Sequence, residues 1–249
     1  MKQKLHIQVS ASNIIDGYEQ FIPYAAHVSN LFTYHLPSIP VRRTKKLLVE
    51  LSESVDSFYI IPEEKGQSIY TIYCKFPFST FSNASSTNKT SMLTDSVYRS
   101  LLMFYPFLGL ISCNVQQGYK QILDSHYQLS IQLCGAPKLN RSRKIKASVT
   151  AEYFLGYVLI HVTFLNSQNA TSRVGLFKTV PVSYIYSQLV SSAKWINNEV
   201  FSVSSKSKEF FIEIKTDGSY KTNYNPKFRG VDDVKNEIRF LTTEVLVDL

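Results

Sequence analysis

The sequence is poor in cysteine, and the three cysteines that it has do not form pairs. Cys74, Cys113 and Cys134 are odd in number and lie far apart in the chain. A disulfide framework needs an even number of cysteines in a short secreted chain, and a structural zinc site needs closely spaced cysteine or histidine ligands. We therefore expect free thiols, buried at Cys74 and Cys134, and no structural metal.

Glycine is also scarce, with nine residues scattered along the chain. No G-x-G-x-x-G or G-x-x-x-x-G-K pattern occurs, so the chain lacks the clustered glycines with which a phosphate-binding loop exposes its backbone amides. No G-x-S-x-G elbow presents a nucleophilic serine. The five histidines form no H-x-x-x-H or H-E-x-x-H pair. We expect no catalytic residues, no bound metal and no cofactor.

Charged residues are few, at 18% of the chain, which excludes intrinsic disorder as the dominant state. No stretch approaches the roughly 18 uninterrupted apolar residues of a membrane span. Residues 1–9 alternate polar and apolar side chains where a signal peptide has a continuous apolar segment. We expect a soluble protein without membrane insertion, cytoplasmic or otherwise intracellular.

Apolar periodicity predicts an α+β fold, with a mainly antiparallel sheet and a few helices. Predicted strands follow one another without strict strand–helix alternation. Asp217-Gly218 predicts a type I′ hairpin turn between two of them. The clearest helix is the amphipathic C-terminal one, behind Gly230, with an apolar stripe formed by Val231, Val234, Ile238, Leu241 and Val245.

The domain organisation follows from the turn-forming residues. We predict one α+β unit over residues 1–249, with two lobes at 1–134 and 144–249. Gly135-Ala136-Pro137 is expected to interrupt regular structure, so residues 135–143 form a basic linker. Residues 79–94 are rich in serine, threonine and asparagine and are predicted to be a surface loop. Residues 183–194 are predicted to be helical.

Positive charge is in excess and falls into two clusters. The formal net charge is +8, with 27 lysines and arginines against 19 acidic residues. Such clusters suit a nucleic acid or an acidic protein. No aromatic residue interrupts the second cluster, which argues against stacking on single-stranded bases there. The candidate partner-binding residues are Arg42, Arg43, Lys45 and Lys46 in the first cluster, and Lys138, Arg141, Arg143, Lys144 and Lys146 in the second.

One enzyme-like pattern is present twice, as Glu213-Ile214-Lys215 and as Glu63-Glu64-Lys65 after Asp56. Metal-dependent nucleases hold a carboxylate and a lysine on one strand in this way. Strand alternation alone also places Glu213 and Lys215 together on a solvated face.

The chain is rich in aromatic residues as well, with 16 tyrosines and 16 phenylalanines. Exposed tyrosine is favoured at protein interfaces.

The C-terminal segment, residues 209–249, has the order strand, Asp217-Gly218 turn, tyrosine-bearing strand and terminal helix. This order resembles the closing segment of bacterial immunity proteins from polymorphic-toxin systems, which neutralise a cognate toxin by binding it. Such families often carry acidic surfaces against basic toxins. This chain is basic, so the resemblance implies an acidic toxin.

The preferred hypothesis is a non-enzymatic module that binds another protein, with toxin neutralisation as its narrower form. The alternative is a nucleic-acid-associated protein that uses the basic clusters 42–46 and 138–146. A metal-dependent nuclease is the third hypothesis.

Overall fold

The computed structural model describes residues 4–11, 18–39, 46–55, 59–61, 69–167, 171–181, 183–227 and 229–248. Six helices and 13 strands lie in these ranges, and the strands form three sheets that are mostly antiparallel. The protein therefore has an α+β fold, as predicted. The chain divides into two compact units, Met1–Leu129 and Ser130–Leu249. No helix in the described ranges has the length and apolar character needed to cross a membrane.

The first unit is built around a four-stranded sheet in the order β1-β2-β4-β3. β1 pairs parallel to β2 and β2 parallel to β4, while β3 is antiparallel to β4. Alternate residues of β2 are fully buried, which is the period-2 burial of a strand whose one face lies on the core. The elements are β1 (His6–Ala11), α1 (Tyr18–His35), β2 (Lys46–Ser52), β3 (Tyr59–Ile61), β4 (Ile69–Lys75), α2 (Phe78–Asn83), α3 (Ser86–Phe107) and α4 (Cys113–Asp124).

The predicted surface loop at residues 79–94 is wrong, because this segment belongs to α2 and α3. Serine and threonine disfavour helix interiors when their hydroxyls compete for backbone partners. In α3 four of these hydroxyls instead donate to the carbonyl four residues earlier, as Thr94 Oγ1 does to Thr90 O at 2.7 Å; the others are those of Thr90, Ser96 and Ser100. Thr94 and Ser100 are fully buried. The buried serine and threonine hydroxyl groups of α3 therefore have hydrogen-bond acceptors within the helix itself.

The second unit contains two antiparallel sheets, in the orders β13-β8-β7-β6-β5 and β12-β11-β10-β9. Aromatic side chains join them: the Phe164 ring lies 6.1 Å from that of Phe201, and Phe177 lies 6.1 Å from Phe210. The elements are β5 (Leu129–Leu139), β6 (Ile145–Phe154), β7 (Tyr157–Asn166), β8 (Thr171–Thr179), α5 (Ser183–Leu189), β9 (Ser192–Trp195), β10 (Val200–Ser204), β11 (Phe210–Lys215), β12 (Tyr220–Tyr224), α6 (Val231–Leu241) and β13 (Glu244–Val245).

The segment predicted as a basic linker, residues 135–143, lies inside the second unit. Gly135-Ala136-Pro137 does not interrupt regular structure, because β5 continues through it to Leu139. Cys134 and Gly135 have φ values of +57° and +80°, so the strand is locally irregular at these two residues but does not end there. Residues 140–144 then form the turn into β6.

Three further predictions at this end of the chain need correction. The predicted helix at 183–194 ends at Leu189, and Ser192–Trp195 is the strand β9, held by pairing with β10. The Asp217-Gly218 hairpin is confirmed, but it is not type I′, since only Gly218 has a positive φ, of +92°. α6 ends at Leu241, before Val245, which pairs with β8 through β13.

Candidate functional site

The first basic cluster can be placed only in part. Arg42, Arg43 and Lys45 lie outside the described residues. Lys46 is the first residue of β2 and is half-buried, next to His6 of β1 in the strand register. Burial lowers the pKa of His6, and the positive charge of Lys46 lowers it further. The contribution of this cluster to binding stays a prediction.

The second basic cluster lies on the β5–β6 hairpin. Asn140 N donates to Ile145 O at 2.9 Å, which closes a four-residue loop, and Arg143 has the left-handed φ of +57° inside it. Four exposed cations project from this loop and from the start of β6: Arg141, Arg143, Lys144 and Lys146. We call these four residues the basic turn.

A single buried side chain holds the loop in shape. Asn140 is only 3% exposed, and its Oδ1 accepts from Ser142 Oγ at 3.1 Å, Lys144 N at 3.0 Å and Ile145 N at 3.3 Å. These are the local side chain to backbone bonds that asparagine forms readily in turns. The backbone amides of Arg143, Lys144 and Ile145 therefore all donate to Asn140, the first to its carbonyl and the other two to its side chain.

The hairpin is also attached to the β9–β10 connection of the same unit. Asn140 Nδ2 donates to Asn198 O at 3.0 Å, and Ser142 N donates to Asn198 Oδ1 at 2.9 Å. Trp195 Nε1 donates to Lys138 O at 2.8 Å. The Lys138 ammonium donates to the Ala193 carbonyl, so Lys138 is half-buried and already has a partner. It is the one member of the cluster that serves the fold.

The charges of the basic turn are not neutralised within the described part of the chain. The ion pairs found there join Arg173 to Glu152, Lys178 to Glu244, and Arg229 to both Glu209 and Glu237. None of them involves the basic turn. Four like charges held within one hairpin repel one another unless water, salt or an anionic partner screens them.

Two exposed apolar side chains accompany these cations. Leu139 is 54% exposed and immediately precedes Asn140, while Ile196 is 39% exposed and follows Trp195. The Trp195–Lys138 and Asn140–Asn198 hydrogen bonds hold both stretches at the same end of the unit. Aliphatic side chains among exposed charges are the composition of a protein interface, where an apolar centre is bordered by a polar rim.

Of the residues in the two enzyme-like patterns, only Glu213, Ile214 and Lys215 lie within the described residues. Asp56 and residues 63–65 lie outside the described residues. Glu213 is on the outward face of β11, where its paired neighbours are Ser202 and Lys221. Among the described residues, no group of three or more histidine, cysteine or acidic side chains is arranged to hold a metal ion.

Burial shifts the pKa values of a buried thiol and of His27, one of two buried histidines among the described residues. All three cysteines are free: Cys74 is buried, Cys134 is half-buried and Cys113 is exposed. Burial raises the pKa of the Cys74 thiol to about 11, which keeps it protonated and unreactive at neutral pH. His27 Nε2 is 2.8 Å from Tyr127 O, and burial lowers the pKa of His27.

Sequence reasoning missed the residues that build the basic turn. The roles of Trp195 and Asn198 depend on partners 57 and 58 residues away in the chain, so no local pattern indicates them. Asn140 was available as a signal, since asparagine before a polar loop often bonds to the loop backbone.

Comparison with family models, curated proteins and solved structures finds no match to this chain.

Proposed function

We propose that the protein is a non-enzymatic binding module whose basic turn docks onto an acidic surface of another protein. The observation that carries this proposal is the group of four exposed cations, without ion-pair partners among the described residues, on a hairpin with a hydrogen-bonded frame. A preformed loop loses little conformational freedom when it binds. Its charges also speed the encounter with an oppositely charged partner.

The apolar neighbours favour a protein over a nucleic acid as the partner. Phosphate contacts are made by cations and hydrogen-bond donors and gain nothing from exposed aliphatic groups. Leu139 and Ile196 instead suit apolar side chains set within an acidic surface. The aromatic rings that would stack on single-stranded bases are absent from residues 138–146.

The narrower form of the proposal is toxin neutralisation. It is supported by the order of elements from β11 to α6, which matches the segment on which the resemblance to immunity proteins rests. In that form the acidic partner is a toxin, and binding covers its functional surface. Gene neighbourhood supplies an independent check, because an immunity gene lies beside the gene of its toxin.

Three labelled probes of equal charge test the partner class: a peptide of Glu-Glu-Leu repeats, polyglutamate and a DNA duplex of arbitrary sequence. We expect the leucine-containing peptide to bind at least about tenfold more tightly than polyglutamate, because Leu139 and Ile196 bury its apolar side chains. Leu139→Ser should reduce that difference, since only Ile196 remains to bury the leucine side chains, and leave polyglutamate binding unchanged.

Tightest binding to the duplex would overturn the protein-binding proposal and support the nucleic-acid alternative, which has the same four cations in its favour. A steep loss of duplex affinity with salt, by several decades between low and physiological concentrations, is the signature of that outcome. Equal binding of all three probes would also contradict the proposal, since it would show charge attraction without recognition of apolar groups.

A further inference from the structure

The outward face of the sheet β12-β11-β10-β9 carries a trough along its third strand. In β10 the inward residues Phe201 and Val203 are buried, and the outward residues are the small Ser202 and Ser204. The strand register places larger side chains on both sides of these serines. They are Lys194 and Ile196 from the β9 side, and Phe211 and Glu213 from β11.

The size of the trough suits one small molecule. Neighbouring strands are about 4.8 Å apart, so its two walls stand on strands separated by about 9.6 Å, which is the width of one sugar or aromatic ring with its contacts. The cavity has a volume of about 320 Å³. This is at the lower end of the range of roughly 300–1,000 Å³ that small-molecule sites occupy. We call it the β10 trough.

One end of the β10 trough offers donors to an anion. Ser192 Oγ and Ser204 Oγ are 2.7 Å apart and hydrogen-bond to each other across neighbouring strands, which leaves one hydroxyl proton free to donate to a ligand. Lys208 lines the same cavity from the β10–β11 turn and is exposed. The remaining hydroxyl proton and the Lys208 ammonium are donors to the oxygens of a phosphate group.

The middle of the β10 trough offers an acceptor and an apolar surface. Glu213 forms no ion pair within the described residues, and its register neighbours are Ser202 and Lys221. An ionised carboxylate accepts hydrogen bonds from ligand hydroxyls but repels a second anionic group. Phe211, half-buried beside it, presents a ring edge or face to carbon-bound hydrogens of a ligand.

We propose that the β10 trough binds a phosphate monoester of a sugar. The phosphate lies at the end formed by Ser192, Ser204 and Lys208, and the sugar hydroxyls donate to Glu213, with the sugar ring against Phe211. A ligand with a single anionic end and a hydroxylated body satisfies both the donors and the central carboxylate. Free sugar phosphates and nucleoside monophosphates share this chemistry. The β10 trough contains none of the four cations of the basic turn, although Ile196 belongs both to its wall and to the proposed docking surface, and ligand binding in the trough does not depend on the proposed function.

Isothermal titration of the full chain with four probes tests the site: ribose 5-phosphate, AMP, ribose and inorganic phosphate. Ribose 5-phosphate should bind at least about tenfold more tightly than ribose or phosphate alone, because only it engages both ends. AMP binding comparably to ribose 5-phosphate identifies nucleotides as acceptable ligands, whereas much weaker AMP binding limits the site to free sugar phosphates.

Two variants separate the ends of the trough. Glu213→Gln should weaken ribose 5-phosphate by about tenfold and leave inorganic phosphate unchanged or tighter, since the repelling charge is gone. Lys208→Gln should weaken both phosphate-containing probes, whereas Lys206→Gln, an exposed neighbour in the same turn that does not line the cavity, should weaken neither. Unchanged melting temperatures exclude loss of the fold as the cause. No detectable binding of any probe, or binding that Glu213→Gln and Lys208→Gln leave unaltered, would overturn the proposal.

Discussion

At the scale of single residues, the basic turn depends on one buried asparagine. Asn140 accepts three hydrogen bonds from its own loop and donates one to the β9–β10 connection. A buried polar group whose partner is removed costs about 1–3 kcal/mol, more than the bond contributes when both partners are present. The shape of the loop that carries the basic turn therefore depends mainly on Asn140.

We expect Asn140→Ala to lower the free energy of unfolding by about 1–3 kcal/mol, because the amides of Lys144 and Ile145 lose their acceptor. Asn198→Ala is the matched control. It removes one bond to the exposed Ser142 amide and keeps the backbone carbonyl that Asn140 uses, so its cost should stay below about 1 kcal/mol. Urea unfolding measures both. Equal destabilisation by the two changes would show that Asn140 does not hold the loop.

A second residue-scale feature is the nearly buried carboxylate of Glu209. It is 8% exposed and accepts from Arg229 Nη2 at 2.7 Å and from Lys227 N at 3.2 Å. The hydrogen bonds from Arg229, then that from the Lys227 amide, lower the pKa of Glu209 below its ordinary value of 4.5. Folding therefore favours the ionised form of this group.

The sign of the resulting pH dependence follows from that direction. The contribution of Glu209 to stability is present above the ordinary pKa of 4.5 and is lost as the pH falls through its lowered value in the folded protein. We expect Glu209→Gln to flatten the loss of stability on acidification below pH 4.5, compared with wild type. Glu199→Gln, at an exposed position, should leave the profile unchanged. Identical acid profiles of wild type and Glu209→Gln would contradict this assignment.

At the scale of elements, the apolar side chains of α6 are divided between the core and the surface. Val234 and Ile238 are 2% and 4% exposed, while Phe240 is 88% exposed on the other side of the helix. Gly230 N donates to Asp233 Oδ2 at 2.9 Å at the start of the helix, where an acidic residue also suits the helix dipole. The helix is attached through two aliphatic side chains, not through its aromatic one.

We expect Ile238→Ala to cost about 2–5 kcal/mol of unfolding free energy, the range for removing a buried branched aliphatic side chain. Phe240→Ala removes a larger but exposed group and should change stability by no more than about 0.5 kcal/mol. Thermal and urea unfolding of the two variants test this pair. A larger effect at Phe240 than at Ile238 would place the helix on the opposite face.

The elements that the sequence predicts best are those with local causes. The pairs β6–β7 and β11–β12 and the start of α6 follow from alternation, turn residues and helix-end charges within a few positions. The errors have tertiary causes. Ser192–Trp195 is a strand because it pairs with β10, and residues 86–94 of the predicted loop belong to a helix with buried threonines. β5 passes through Gly135 because of a local irregularity. The parallel pairing of β1 with β2 likewise depends on contacts that no local pattern specifies.

The same division applies to the candidate site. The sequence predicted exposure for the second basic cluster, because charges at this density are too costly to bury without partners, and the four cations of the basic turn are exposed. It did not identify Lys138 as a structural residue, since its carbonyl partner belongs to β9, 55 residues later. The β10 trough was missed for a related reason: small and large side chains alternate across strands, and only the register brings them together.

At the scale of the whole molecule, the second unit carries two surfaces of different chemistry. The basic turn has no ion-pair partner among the described residues and is accompanied by exposed aliphatic side chains, which suits a large acidic partner. The β10 trough is small and combines donors with one carboxylate, which suits a ligand with a single anionic end. The formal net charge of +8 favours approach of anions to either surface but distinguishes neither. Local geometry supplies that distinction.

The most direct test of the central claim is charge reversal at the basic turn. The variant carries Arg141→Glu, Arg143→Glu and Lys144→Glu, and its control carries Arg99→Glu, Lys120→Glu and Lys206→Glu at exposed positions elsewhere. Both have the same net charge, so a difference between them reports position and not overall charge. Fluorescence anisotropy with the Glu-Glu-Leu peptide, across a salt series, is the measurement. We expect the basic-turn variant to melt as wild type does, since exposed charges contribute little to stability, and to bind at least about tenfold more weakly with a flatter salt dependence than the control. Equal weakening by both variants, or unfolding of the basic-turn variant alone, would contradict the assignment of binding to this surface.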